Sequence, residues 1–177
     1  TGKPKPLWVE KQRMLNSAHI TCDFLGLKAG DTALLCMPLD YIAGKMVVVR
    51  SIERNLRLLS VTPSGHPLSD HSLSEAGISN EEITFAAMVP LQVYNSLQVP
   101  KECERLRRIH HLIIGGGAVD DKLSADLQDF PNAVWSTYGM TETLSHIALR
   151  RLNGPDASEW YKPFDGVKVW LNEEGCL

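Results

Sequence analysis

The feature that most constrains this chain is a run of short apolar segments, each cut off by proline or glycine and separated from the next by a helical stretch. Thr32–Met37 ends at Pro38, Thr84–Val89 ends at Pro90, and His110–Ile114 runs into Gly115-Gly116-Gly117. Ala133–Thr137 is a fourth such segment. Near-continuous apolar runs of this length suit strands buried on both faces, as in parallel sheets. Between them the apolar spacing becomes helical. Leu15, Ala18, Cys22 and Leu25 share one face of a helix expected over Trp8–Leu25, with Gly26 as its stop. A second helix is expected over Ile42–Leu59, with Val48, Ile52, Leu56 and Leu59 facing the core. Arg50, Glu53, Arg54 and Arg57 would face solvent, with Glu53 and Arg57 spaced for an ion pair. A strand is expected over 58–62 and loop over 63–80. Helices follow over Leu91–Gln98 and Lys101–Arg108, broken by Pro100, and after Asp120 or Asp121 as N-cap. Segments near 145–150 and 167–171 read as antiparallel additions. Strands alternating with helices predict one α/β domain with a largely parallel sheet flanked by helices.

Composition excludes several alternatives. Eighteen Lys+Arg against twenty-one Asp+Glu leave a net charge of −3, without the basic excess of a dedicated nucleic-acid binder. No apolar run approaches the ~18–20 residues of a membrane span. Cys22, Cys36, Cys103 and Cys176 form no CxxC pair and no zinc pattern. Cys22 and Cys36 fit reduced core thiols, and without an export signal the expected compartment is the cytoplasm. His66 and His71 lack the further ligands a zinc site needs, and the neighbours His110 and His111 read as structural residues on opposite faces of a strand.

In open parallel sheets ligands bind at the carboxyl ends of strands. Three polar or glycine-rich segments fall there: Pro38–Gly44, Gly115–Ala118 and Tyr138–Thr143. Gly115, Gly116 and Gly117 bare the backbone to a flat or charged ligand, although a tight strand-to-helix turn asks for the same residues. Thr1-Gly2-Lys3-Pro4-Lys5 is half of a phosphate loop, with free amides and a lysine charge, or a frayed terminus. It is not a Walker A sequence, because Pro4 stands where Ser or Thr is required. In Tyr138-Gly139-Met140-Thr141-Glu142-Thr143 a ring can cover a base, hydroxyls can bond phosphate, and a carboxylate can hold magnesium through hard oxygens. A polar helix start would use the same Thr141 or Glu142 as a cap.

Together these segments resemble the adenylate-forming superfamily of acyl-CoA synthetases, adenylation domains and luciferases. The family's T-G-x-P-K is matched by Thr1, Gly2, Pro4 and Lys5. Its Y-G-x-T-E is matched by Tyr138, Gly139, Thr141 and Glu142, its strand-Gly-Gly-Ala by Ile113–Ala118, and its P-L-x4-G by Pro38, Leu39 and Gly44. Within it, Tyr138–His146 is most similar to the o-succinylbenzoate–CoA ligase branch of menaquinone biosynthesis. The resemblance implies an ATP-dependent acid–thiol ligase that adenylates a carboxylate and passes the acyl group to CoA, with Mg2+ as cofactor. It also implies the roles. Thr1, Gly2 and Lys5 hold the β- and γ-phosphates, Thr141 the α-phosphate, and Glu142 the magnesium. Tyr138, with Gly139 and Met140, packs on adenine against Gly115, Gly116 and Gly117. Tyr41, Gly115 and His146 border the acyl group, although a packed or solvated His146 is an equal reading.

Pro6 replaces the glycine usual after the loop lysine. The first half of the phosphate loop, the ribose-binding Asp, the hinge and the C-terminal domain with its catalytic Lys are absent. The expectation is therefore an internal fragment, 1–177, of the AMP-binding N-terminal domain, inactive alone. Small-molecule partners are expected, with no nucleic acid and no membrane span. Alternatives are an aryl- or acyl-CoA ligase of other specificity, an amino-acid adenylation domain with Asp40 as amine partner, or a nucleotide-binding module without catalysis.

Overall fold

Residues 7–75 and 83–176 are described by a computed structural model. Seven strands form one sheet in the order β2-β1-β3-β4-β5-β6-β7. They are β1 (Thr32–Leu35), β2 (Arg57–Ser60), β3 (Phe85–Met88), β4 (His111–Ile114), β5 (Ala133–Gly139), β6 (His146–Arg151) and β7 (Lys162–Pro163). The first five in that order pair in parallel, and β6 and β7 are added antiparallel. β1 and β3 are buried at every position, as apolar runs covered on both faces must be. The helices are α1 (Lys11–Leu25), α2 (Ile42–Arg54), the five-residue α3 (His71–Glu75), α4 (Pro90–Gln98), α5 (Pro100–Arg108) and α6 (Asp121–Asp126). Pro90 and Pro100 each start a helix, where a missing N–H costs nothing. Asp120 caps α6 by accepting from the Leu123 amide at 2.7 Å.

The chain runs from β1 to β2 on one side and returns to place β3 on the other. The strand order thus reverses between β1 and β3, which opens a crevice at their carboxyl ends. Buried Gln92 of α4 ties the crevice walls together. Its Nε2 donates to the Cys36 carbonyl at 3.1 Å and the Ser64 carbonyl at 2.9 Å, while its Oε1 accepts from the Val89 amide at 3.2 Å. Below α4, the buried Glu102 carboxylate accepts from Ser69 Oγ (2.5 Å) and Ser96 Oγ (2.9 Å) and pairs with His66 Nδ1 (3.0 Å). His66 is therefore a structural partner, and no cluster of three metal-ligating side chains occurs among the described residues.

The structure corrects several sequence expectations. α1 begins at Lys11 rather than Trp8, whose ring is 94% exposed. α2 stops at Arg54, because Asn55 takes a left-handed conformation (φ 53°) that caps it, and Arg57–Ser60 pairs with β1 instead of continuing the helix. Its inward face is not the expected one. Met46, Val47, Arg50 and Ser51 are buried, whereas Ile52 is 71% exposed. Glu53 pairs not with Arg57 but with His19 (2.8 Å) and Arg54 (3.4 Å), and Arg54 also reaches Asp23 at 2.5 Å. These pairs stitch α1 to α2. The region expected to be loop contains a 3-10 turn at Pro67–Ser69 as well as α3. Residues 167–171 form no strand; β7 pairs with β6 in their place, leaving Trp170 and Leu171 exposed. Cys22 and Cys36 are buried as expected, and burial pushes both thiols up to about 12.

Candidate functional site

A cavity of about 240 Å³ lies at the carboxyl ends of the central strands, under the first turn of α2. Met37 closes it beyond β1, Met88 and Val89 at β3, Gly115 and Gly116 at β4, and Thr137, Gly139 and Thr141 at β5 and its turn. Its walls are mostly apolar. Their polar side consists of Arg50, Thr137, Thr141, Ser145 and His146.

Two glycines let these elements come so close. A Cβ at Gly44 would lie 2.4 Å from the Pro38 carbonyl oxygen, so α2 can enter against the end of β1 only with glycine there. A Cβ at Gly139 would lie 2.3 Å from the Ser145 carbonyl oxygen, where the β5–β6 register slips between Tyr138 and Gly139. The chain therefore does not start a helix after Tyr138. It folds into a tight turn in which Leu144 N donates to the Thr141 carbonyl at 2.9 Å and Leu144 adopts φ 71°. Thr143 Oγ1 accepts from the Met140 amide at 3.0 Å and donates within the same turn. Thr143 thus braces the loop, leaving Thr141 and Glu142 as its outward groups.

The two motifs share a rim, since Gly115 and Gly116 stand opposite Thr137–Thr141 across the cavity. The hairpin tip divides the other predicted residues between two hollows. Thr141 lines the cavity, whereas Glu142 lines a second depression with Leu7, Trp8, Glu10 and Arg13. The Glu142 carboxylate has no hydrogen-bond or ion-pair partner among the described residues. Alternation along β5 sends Tyr138 to the face opposite Thr137, where its ring lies 5.9 Å from Tyr161. Gly117 is exposed beside Pro90 and does not line the cavity. Tyr41 is the extended residue before α2; it is 68% exposed and lies outside the lining, next to Ile42 and Ala43 within it. Thr1, Gly2 and Lys5 lie outside the described residues.

Sequence reasoning missed the most unusual group, Arg50. Its side chain is 2% exposed and lines the cavity. Nη2 donates to Ser145 Oγ at 2.7 Å, and Nε is buried without a partner. Burial lowers its pKa to about 10, still far above neutrality, so it is a cation in an apolar chamber. The missed signal was its helical spacing of four and three from Met46 and Val47, which shares their inward face. His146 is also buried. Its Nε2 lies 3.0 Å from Thr21 Oγ1, and burial together with the Arg50 charge holds its pKa well below the ordinary imidazole range.

Such a site can take an organic anion inside and a polyanion at its glycine-lined mouth. An ionised carboxylate entering the chamber would find a buried cation in its wall. Across the hairpin tip from the cavity, Glu142 next to Thr141 suits magnesium, which commonly takes one or two protein carboxylates and completes its shell with phosphates and water.

Comparison with known proteins agrees. Residues 1–174 match the family described as AMP-binding enzyme. Among curated proteins, the 2-succinylbenzoate–CoA ligases of Bacillus cereus (strain AH820) and Bacillus anthracis (strain A0248) are each 28% identical over 147 residues, 83% of this chain. The chain spans 30% of the length of these relatives. Among solved structures, an acyl-CoA synthetase (AMP-forming)/AMP-acid ligase II-like protein from Dyadobacter fermentans superposes with a TM-score of 0.87 at 36% identity. That superposition covers 98% of this chain and 47% of that one. The o-succinylbenzoate coenzyme A synthetase of Bacillus subtilis, solved with ATP and magnesium ion, shares the fold with a TM-score of 0.75 at 22% identity, over 99% of this chain and 36% of that one.

Proposed function

Because this chain belongs to the AMP-binding enzyme family, we propose that it forms part of the nucleotide- and acid-binding domain of an ATP-dependent, AMP-forming acid–CoA ligase, with 2-succinylbenzoate as the acid. In the first reaction a carboxylate oxygen attacks the α-phosphorus of ATP and pyrophosphate leaves. In the second the CoA sulfur attacks the acyl carbon, a C–S bond replaces the C–O bond to AMP, and the thiol proton is lost. Thr141 donates to the α-phosphate, and the bared backbone at Gly115 and Gly116 lets the adenylate lie across the cavity mouth. Gly117, Gly139, Met140 and the Tyr138 ring border the adenine, while Thr1, Gly2 and Lys5 take the outer phosphates. Glu142 would hold magnesium, which when bound supplies positive charge to the phosphates. The apolar walls exclude water that would hydrolyse the adenylate.

The observation that carries the choice of acid is buried Arg50. A diacid uses one carboxylate in the reaction and brings a second that stays ionised, and an apolar chamber accepts that charge only against a cation. The relatives named 2-succinylbenzoate–CoA ligase support the same choice. An amino-acid substrate is disfavoured, because its amine needs a carboxylate and, among the described residues, the cavity lining holds no Asp or Glu; Asp40 is exposed on the loop before α2. Free thiols and a small-molecule acid substrate fit a cytoplasmic enzyme, and no helix among the described residues is long and apolar enough to cross a membrane.

ATP–pyrophosphate exchange on the complete protein tests this reading. Exchange is expected with 2-succinylbenzoate. Arg50→Met is expected to lower exchange with that diacid by roughly 10–100-fold, the worth of one charged hydrogen bond, while sparing benzoate. Equal exchange with benzoate or fatty acids in the unmodified protein would remove the diacid assignment, and no exchange with any carboxylate would remove the ligase assignment.

A further inference from the structure

A line of four side chains joins the cavity to α1. Arg50 Nη2 reaches Ser145 Oγ at 2.7 Å, Ser145 Oγ lies 3.4 Å from His146 Nδ1, and His146 Nε2 lies 3.0 Å from Thr21 Oγ1. Thr21 Oγ1 in turn donates to the Ser17 carbonyl at 3.1 Å. The donors in this line can be assigned from both ends. Arg50 can only donate, so Ser145 Oγ accepts from it and keeps its hydrogen for His146 Nδ1. Thr21 gives its one hydrogen to Ser17, so it accepts from His146 Nε2. One imidazole satisfies every partner in the line at once: neutral, with hydrogen on Nε2 and a lone pair on Nδ1. The opposite tautomer would turn an N–H toward the side where the Arg50 cation lies. A doubly protonated ring would add a second buried charge near it. The charged groups on the remaining sides are few: among the described residues, Arg13 lines the hollow behind His146, and the ring of Phe164 packs 5.6 Å away.

We propose that His146 is a positioning residue that acts on the acid site through Arg50. As the neutral Nε2–H tautomer it completes a one-way hydrogen-bond chain from α1 through Ser145 to Arg50, and so fixes the guanidinium at the cavity wall with Nε unspent. The consequence for substrate rests on the cavity being the acid pocket of the ligase, but the tautomer and the chain do not. The chain spans three elements that sequence keeps far apart, and it makes the seat of the cation depend on a helix that does not line the cavity.

Nitrogen-15 NMR of the 177-residue chain, labelled at histidine and arginine, tests the inference directly. His146 is expected to show the neutral Nε2–H signature and to keep it at pH 5.5, where a free imidazole with pKa about 6.5 is mostly charged. Thr21→Val and His146→Leu are each expected to speed exchange of the Arg50 Nε hydrogen with water about tenfold, the effect of losing one buried hydrogen bond. Thr21→Ser and His146→Gln, which keep one donor and one acceptor, are expected to restore slow exchange. An Nδ1–H or charged His146 overturns the proposal, as does Arg50 exchange that ignores all four substitutions. Titration with 2-succinylbenzoate adds the functional arm. Its affinity should fall about tenfold in His146→Leu and return in His146→Gln, since one lost hydrogen bond is again the measure. If the diacid leaves the unmodified chain unshifted, the acid-pocket reading fails, and the tautomer and exchange results still decide the proposal.

Discussion

Gly139 and Gly117 both belong to segments picked out from sequence, yet their surroundings differ. At Gly139 an added methyl meets the backbone of Ser145 and His146 at 2.3–2.7 Å, which no side-chain rotation relieves. At Gly117 it meets only Pro90 side-chain carbons at 3.5–3.6 Å, ordinary contact. Gly139→Ala is therefore expected to cost about 1–3 kcal/mol of unfolding free energy, as overpacking does, and Gly117→Ala less than about 0.5 kcal/mol. Urea denaturation followed by circular dichroism checks the pair. At this scale the sequence was informative where a residue type has one dominant use. Glycines at strand ends and the hydroxyl–carboxylate hexapeptide marked the rim of the cavity. It was uninformative for Arg50, because a charged residue on a helix is ordinarily solvated and only its burial and its bond to the distant Ser145 hydroxyl reveal otherwise. It was equally silent on Thr21, a residue of α1 whose partner is 125 positions away.

Among elements, α2 carries the clearest contrast between pattern and packing. Met46→Ala on its buried face is expected to destabilise by about 2–5 kcal/mol, whereas Ile52→Ala, exposed on the same helix, should stay within about 0.5 kcal/mol. Thermal denaturation of both variants separates this orientation from the opposite one that apolar spacing alone suggested. The strand expected over 58–62 is present as the four-residue β2, but its start was obscured because only Leu59 of its residues is buried, so Arg57–Ser60 also reads as a continuation of the helix. Asn55, suited to the left-handed cap, was the available signal for the break. The parallel strands were legible because burial on both faces demands unbroken apolar runs. The late β7 was not, since two exposed residues have no pattern to read.

For the whole molecule, pH acts on stability through the groups whose ionisation changes on folding. Burial and the Arg50 charge lower the pKa of His146 well below the ordinary value, and burial together with His110 and Arg151 lowers that of His111. Below about pH 6.5 the unfolded chain binds protons that the native chain refuses, so stability falls as pH drops from there, by up to about 1.4 kcal/mol per unit for one such group. Asp23, held low by Arg54, and Asp70, held low by Ser72, add their loss only near pH 4 and below. Urea midpoints measured between pH 7 and 5 are expected to decline in the unmodified chain and to decline less in His146→Gln. A rise over that interval would contradict the assignment.

The contact between Thr21 and His146 also sets when the chamber acquires its polar wall. Closing a loop that long has an entropic cost that no local interaction offsets in advance. The intervening strands must first align for the two ends to meet. A chain caught partway through folding can hold a well-formed first helix and several paired strands while still lacking an anchored guanidinium. Recovery of ligand affinity after dilution from denaturant should therefore trail the return of helical signal.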